Sequence, residues 1–368
     1  MMNILFVHSI GKRKFWGGEK WLVLMASGLR QKGHRVIVGG RPGSRLLVNA
    51  SRQGLETAGI YIISDINPFH IITIAGIIRK EKIDVVITRG RELAITGLAS
   101  RLAGKMWKVR PVVLVRHGLP LLCSIRKHVF LLNMLADGII TNTHSIRELY
   151  EARGWVKKGF TRVIHNGTTA SAGQEEYPFR ELYPGRHIVL TAGRLALQKG
   201  YFYLIDAISI LKQKRKDLLF FILGEGKLSY RLKSYARKRG VSEMIHFEGF
   251  VEDVSPYMKG CDIFVLPSVY EGMPNAAMEA MSYGRPVVLS SVYGSKELVK
   301  SEETGLLVPP RNPRAIAKAL DRLAGDSQLR RRLGANARKH VSETFPVSKM
   351  VDRMEDYLKE KLEEKSSR

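Results

Sequence analysis

Two glutamates, Glu271 and Glu279, stand eight residues apart in the stretch LPSVYEGMPNAAMEAMSYGRPV, where an apolar run gives way to a loop and then to a helical pattern. The run CDIFVLP predicts a strand that ends at Pro267. Pro274 suits the first turn of the next helix, because the N–H it lacks is one that a helix start leaves unpaired anyway. Glu271 therefore falls in the loop. Glu279 falls inside the helix, four residues after Asn275, on the same face and about 6 Å farther along the axis. Both carboxylates can then converge on one ligand. The main-chain amides of Gly272 and Met273, leading into a helix N-terminus, offer donors to an anionic or polyhydroxylated group. Carboxylates accept paired hydroxyls well, and each charge-assisted bond contributes about 1.5–3 kcal/mol. A helix-dipole glutamate beside a solvated one would show the same spacing, so the pair alone does not decide.

Basic residues in a second loop add to the pattern. In TAGRLALQKG, Arg194 and Lys199 follow another predicted strand, and the two residue types suit a diphosphate, arginine through its fork and lysine as a point charge. Nearer the N-terminus, FWGGEKW puts Gly17 and Gly18 between the first strand and a helix expected to begin near Glu19. Glycines there let backbone amides approach a phosphate or an acceptor without a Cβ in the way, although two adjacent glycines also make an ordinary tight turn. His117 closes the strand PVVLVRH, with Arg116 beside it as either a phosphate ligand or a surface charge. No aspartate has another two positions on, so a metal-held ligand is not indicated and no cofactor is expected.

Taken together, these motifs resemble the retaining nucleotide-sugar glycosyltransferases of the GT-B fold, family 4. The E-x(7)-E spacing in EGMPNAAMEAMSYGRPVV carries the resemblance, supported in order by VIHNG, TAGRLALQKG, LGEGKL and HFEGFVEDV. It covers most of the chain and is strongest from Arg162 to Pro310. The resemblance implies that Glu279 holds the nucleotide ribose, that Glu271 meets the transferred sugar, and that Arg194 and Lys199 neutralise the diphosphate. Gly17 and Gly18 correspond to the family's GG loop. His117 corresponds to a histidine facing the reacting sugar, which stabilises the positive ring or positions the acceptor. In the family's proposed mechanism the leaving phosphate deprotonates the acceptor hydroxyl, in keeping with the lack of an obvious carboxylate nucleophile.

The elements that must position these residues read as two doubly wound α/β domains, each built like a Rossmann fold. Short runs that are apolar throughout imply parallel sheets covered on both faces. NILFVH, RVIVGG, DVVIT, PVVLVR and GIITNT alternate with helical stretches at Glu19 to Lys32, Arg45 to Ala58 and Glu92 to Leu102. After a turn-rich stretch from Asn166 to Arg186 the rhythm restarts with HIVLTAGR, DLLFFILGEG, MIHFEGF, CDIFVLPS, RPVVLS and TGLLVP. The expected division is an acceptor-binding domain over 1–167, a linker over 168–186 and a nucleotide-sugar domain over 187–345. A last helix over 346–368 is free to reach back to the first domain.

Composition narrows the partners. Of the net charge of +26, the residues up to Gly167 hold 27 Lys/Arg against 9 Asp/Glu, a balance of +18, and the remaining 201 residues hold 33 against 25, a balance of +8. The first domain thus favours something anionic. All four tryptophans, Trp16, Trp21, Trp107 and Trp155, lie in it, and Leu119 to Leu135 mixes bulky apolar residues with Arg126 and Lys127. Such a mixture suits an anionic membrane surface, and an ordinary core helix equally. The expectation is a cytoplasmic enzyme held peripherally on the inner face of a membrane, acting on a lipid-linked or saccharide acceptor such as lipopolysaccharide core or glycolipid. A GT-B epimerase or phosphorylase stays open as an alternative. A nucleic-acid-binding protein fits less well, since no helix-turn-helix, RNP-like or zinc-finger signature accompanies the charge. A dehydrogenase lacks its dinucleotide fingerprint, and Cys123 and Cys261, the only cysteines, give neither a disulfide framework nor a zinc site.

Overall fold

A computed structural model describes residues 1–9, 11, 17–62, 67–121, 125–168 and 175–367. Trp16, Cys123 and part of the expected linker lie outside the described residues. The chain forms two compact units, Met1–Gly167 with Val347–Arg368, and Thr168–Pro346.

The first unit is built on seven parallel strands: β1 (Asn3–His8), β2 (Arg35–Gly40), β3 (Glu56–Gly59), β4 (Val85–Arg89), β5 (Val112–His117), β6 (Gly138–Thr141) and β7 (Thr161–Val163). Their order is β3-β2-β1-β4-β5-β6-β7. The direction of winding therefore reverses between β1 and β4, and a doubly wound sheet opens a ligand crevice outside the carboxyl ends of the strands at such a point. The expected helix from Arg45 to Ala58 is shorter than its pattern, ending at Arg52. Gly54 then takes a left-handed backbone, φ 72°, which helical geometry cannot continue. The chain turns there into edge strand β3. Helix Pro68–Lys80, which the strand-and-helix rhythm of the sequence does not announce, starts where the Asn67 side chain accepts from the Phe69 amide.

The second unit carries six parallel strands: β8 (His187–Ala192), β9 (Leu218–Leu223), β10 (Ile245–Gly249), β11 (Ile263–Leu266), β12 (Val287–Ser290) and β13 (Leu306–Val308). In the order β10-β9-β8-β11-β12-β13 the reversal falls between β8 and β11. Strand β9, LLFFIL, shows why these runs are apolar throughout. Leu218, Phe220 and Ile222 enter the core on one face of the sheet, and Leu219, Phe221 and Leu223 enter the core on the other. Part of the turn-rich stretch is packed onto this unit rather than free of it. Phe179, in a short helix Phe179–Leu182, is buried against Phe221, and Tyr177 stacks on Tyr257 with ring centres 4.2 Å apart.

Three helices end the chain. Pro313–Gly325 and Ser327–Thr344 belong to the second unit and Val347–Ser366 to the first. The last lies on helix Gly17–Gln31, where Val351 fills the notch left by Gly28. A Cβ at position 28 would come within 2.3 Å of a Val351 methyl. Lys32 pairs with Asp352 and Glu355 along the same seam. Among the described residues no helix is long and apolar enough to cross a membrane. Trp21 is a core residue, edge-on to Phe6, so the aromatic count overstates what the first unit shows outside. Phe130, Arg126 and Lys127 are exposed.

Candidate active site

In the second unit, the loops after β8 and β11 leave the sheet side by side because those strands are neighbours. The loop after β8 carries Arg194 and a single turn of 3-10 helix, Leu197–Lys199. It is joined to the loop after β11 by main chain and side chain. The Val269 amide donates to the Gln198 carbonyl at 2.7 Å, and Gln198 Nε2 donates to the Tyr270 carbonyl at 3.1 Å. Gly200 makes this approach feasible: its φ is 69°, and a Cβ there would sit 2.0 Å from the Pro267 carbonyl oxygen. The glycine-bearing turn after β9 is equally tight, since a Cβ on Gly224, φ 131°, would lie 2.1 Å from the Gly193 carbonyl oxygen.

These loops bring Lys199 and Glu271 into direct contact, Nζ to Oε1 at 2.5 Å, with side chains 18% and 7% exposed. Ser268 Oγ donates to the same oxygen at 2.8 Å. The sequence reading gave these two residues separate ligands, diphosphate and sugar. In the structure the two also pair with each other, because adjacent strand ends place both loops over one point. Arg194 reaches Gln198 Oε1 at 3.4 Å. Glu279 is half-buried in helix Asn275–Ser282, one turn after the half-buried Asn275. Pro274 is the residue before the helix rather than its first, and its carbonyl accepts from Ala277 and Met278. Gly272 is buried, and Met273 turns its side chain into the core beneath the sheet, leaving only its main chain for a ligand. Ser268 and Gln198 were missed, since nothing in their types or spacing separates them from ordinary loop residues.

In the first unit, Gly17 and Gly18 are the first two residues of helix Gly17–Gln31 rather than a loop before it. Beneath them lies a charge-balanced cluster from the reversal point. His8 at the end of β1 contacts Glu19 at 2.6 Å, and Arg89 at the end of β4 contacts the same carboxylate oxygen at 3.1 Å. Glu92 Oε1 accepts from the Ser9 amide and lies 3.5 Å from His8 Nδ1. Burial works against a charge on His8, but the contacts with Glu19 and Glu92 outweigh it and raise its pKa. A Cβ on Gly18 would lie 3.0 Å from Arg89 Nη1, so the glycine is what lets the helix start come down on the arginine.

His117 and Arg116 are both buried. Arg116 is not a surface charge: its guanidinium lies 3.8 Å over the Trp21 ring and donates to Asn166 Oδ1 at 2.9 Å. Burial and the neighbouring Arg89 lower its pKa to about 9. His117 Nδ1 meets the Tyr150 hydroxyl at 2.9 Å and Nε2 meets His128 Nε2 at 3.3 Å. Burial first, then His128, Arg89 and Arg116, hold its pKa down to about 3, so the ring is neutral near pH 7.

The sequence matches two family models in tandem. Residues 16–172 match Glycosyltransferase Family 4, and residues 174–340 match Glycosyl transferases group 1. An uncharacterized glycosyltransferase of Methanocaldococcus jannaschii is 33% identical over 218 residues, 56% of each chain. The UDP-Gal:alpha-D-GlcNAc-diphosphoundecaprenol alpha-1,3-galactosyltransferase of Escherichia coli is 29% identical over 309 residues, 78% of each. The match thus spans less than two thirds of the first relative's length and more than two thirds of the second's. In fold, the chain is similar to Anabaena HepE, solved in complex with UDP-glucose, with a TM-score of 0.85 at 22% identity over 98% of this chain and 100% of that one. Two parallel-sheet domains of the GT-B kind, matched in order by these two families, place the chain among the glycosyltransferases, with a family 4 first domain and a group 1 second domain.

Proposed function

We propose that the chain moves a sugar from a nucleotide-sugar donor, with retention of configuration, to a membrane-associated saccharide or lipid-linked acceptor. The observation that carries the donor half is the Lys199–Glu271 contact at the reversal point of the second sheet, with Arg194 in the same loop and Glu279 in the helix that follows. A half-buried lysine paired with a buried carboxylate, beside a second basic group, provides both charges that a sugar diphosphate needs, acceptors for hydroxyls and donors for phosphate.

In this reading Arg194 and Lys199 take up the charge that develops on the leaving diphosphate, a preorganised electrostatic stabilisation for which no metal is strictly required. Glu279 accepts from the ribose and Glu271 from the transferred sugar. The bond from the sugar's anomeric carbon to the phosphate oxygen breaks, the acceptor oxygen forms the new bond on the same face, and its proton passes to the departing phosphate. His117 in the first unit positions the acceptor. Support for the donor comes from HepE, a structure holding UDP-glucose. Support for a lipid-linked acceptor comes from the Escherichia coli relative, named for a diphosphoundecaprenol substrate, and from the +18 balance of the first 167 residues.

In this reading the protein works at the inner face of a membrane, held peripherally by charge. A thermal-shift panel of UDP-, GDP-, ADP- and CMP-sugars with Glu279→Ala as control tests the donor site. One nucleotide should stabilise the wild type more than the variant. Equal responses, or none, would remove the assignment. Flotation with anionic liposomes at low salt tests the membrane: protein that stays at the bottom of the gradient rejects it.

A further inference from the structure

We propose that Tyr150 fixes the tautomer of His117, holding its ring proton on Nε2 and aimed at His128, so that the imidazole is a neutral ring of one fixed polarity. The inference rests on the reading of His117 as an acceptor-positioning residue, and Tyr150 acts through it.

The geometry assigns each proton in turn. Burial keeps the Tyr150 phenol protonated. Its hydroxyl lies 2.9 Å from His117 Nδ1, and that nitrogen takes its one proton. Nδ1 is then an acceptor, and a neutral imidazole must carry its proton on the other nitrogen. That Nε2–H points at His128 Nε2, 3.3 Å away, which accepts it and so holds its own proton on Nδ1. The order from Tyr150 through His117 to His128 follows from these two contacts.

The surroundings keep the chain in this state. Tyr150, on helix His144–Ala152, is fully buried, edge-on to the His117 ring and packed against Trp155 at 5.4 Å. Charging His117 would set a cation beside His128 and within the influence of Arg89 and Arg116, in a buried position. Gly90 supplies the space for the histidine pair. A Cβ there would lie 2.8 Å from His128 Nε2 and 2.9 Å from His117 Nε2. Glycine at the end of β4 is therefore part of the same device.

Nitrogen-15 correlation spectra of the labelled full-length chain read the tautomer directly, with His117 assigned by its disappearance in His117→Gln. The wild type should show a single Nε2–H tautomer that does not titrate where ordinary histidines do. Tyr150→Phe, which keeps the ring and its packing, should lose that single tautomer, giving a mixture with Nδ1–H. An Nδ1–H tautomer in the wild type, or a Tyr150→Phe spectrum unchanged at His117, overturns the proposal. The underlying reading fails in a different way: His117→Gln retaining full transfer activity would remove the acceptor role while leaving the spectra as they are.

Discussion

Replacing Lys199 by methionine keeps most of the side chain's length and removes only the charge that faces Glu271. Glu271 is nearly buried, and its paired oxygen has two partners, Lys199 at 2.5 Å and Ser268 at 2.8 Å. Without Lys199 a buried carboxylate is left with one neutral donor. Removing one partner of a buried pair costs about 3–5 kcal/mol. The Lys199 side chain keeps 18% of its exposure, so water recovers part of this, and about 2–4 kcal/mol is the expected loss. For a unit of this size each kcal/mol lowers Tm by roughly 2–4 °C, which puts the second unit's transition about 4–16 °C lower. The double variant Lys199→Met with Glu271→Gln removes both charges, and it should recover more than half of the loss. Scanning calorimetry of the wild type, both single variants and the double variant closes the cycle. Additive losses, with a double variant worse than either single one, would refute the claim that the two residues form one buried pair.

The other expectations concern the backbone and pH. Gly200→Ala should destabilise the second unit by more than the roughly 1–2 kcal/mol of a left-handed alanine, because its Cβ would also meet the Pro267 carbonyl oxygen; a melting temperature equal to wild type would show that the two loops are not held together there. The raised pKa of His8 means that its contribution to stability is complete below about pH 6.5 and is lost as pH rises through the higher folded value. Urea denaturation at about pH 6 and pH 9 should therefore show a falling stability for the first unit in wild type and a smaller fall in His8→Asn, and identical pH dependence would count against a charged His8. Gly28→Val should weaken the docking of the last helix, since even one Cβ lies 2.3 Å from Val351; proteolysis that cuts near residue 347 no faster than in wild type would contradict it.

How much of this was legible in the sequence follows from what each feature depends on. Most strands were readable because a parallel strand buried on both faces, such as β9, must be apolar at every position, whereas the short outer strands β3 and β7 are not apolar throughout and were not. The two reversal points were not, because pairing β1 with β4, or β8 with β11, depends on crossovers that leave no local mark. The contacts that cross those points were hidden for the same reason. His8 and Arg89 are 81 positions apart and Lys199 and Glu271 are 72 apart, yet each pair meets at adjacent strand ends. Helix Asn275–Ser282 and the loop position of Glu271 were readable, since an apolar run, a proline and a helical pattern fix them locally. His117 stood out by its place at the end of a strand, whereas Tyr150, which holds it, lies inside an amphipathic helix and looks like any core tyrosine.

The claim on which the account rests is that the second unit holds the donor through Arg194 and Glu279, and calorimetric titration tests it most directly. The ligand is whichever nucleotide-sugar stabilises the wild type most, titrated into wild type, Arg194→Ala, Glu279→Ala and His117→Gln. Each of the first two variants loses a charge-assisted hydrogen bond of about 1.5–3 kcal/mol, so their affinity should fall about tenfold or more, while His117→Gln binds as wild type does. Undiminished affinity in both Arg194→Ala and Glu279→Ala would contradict the account.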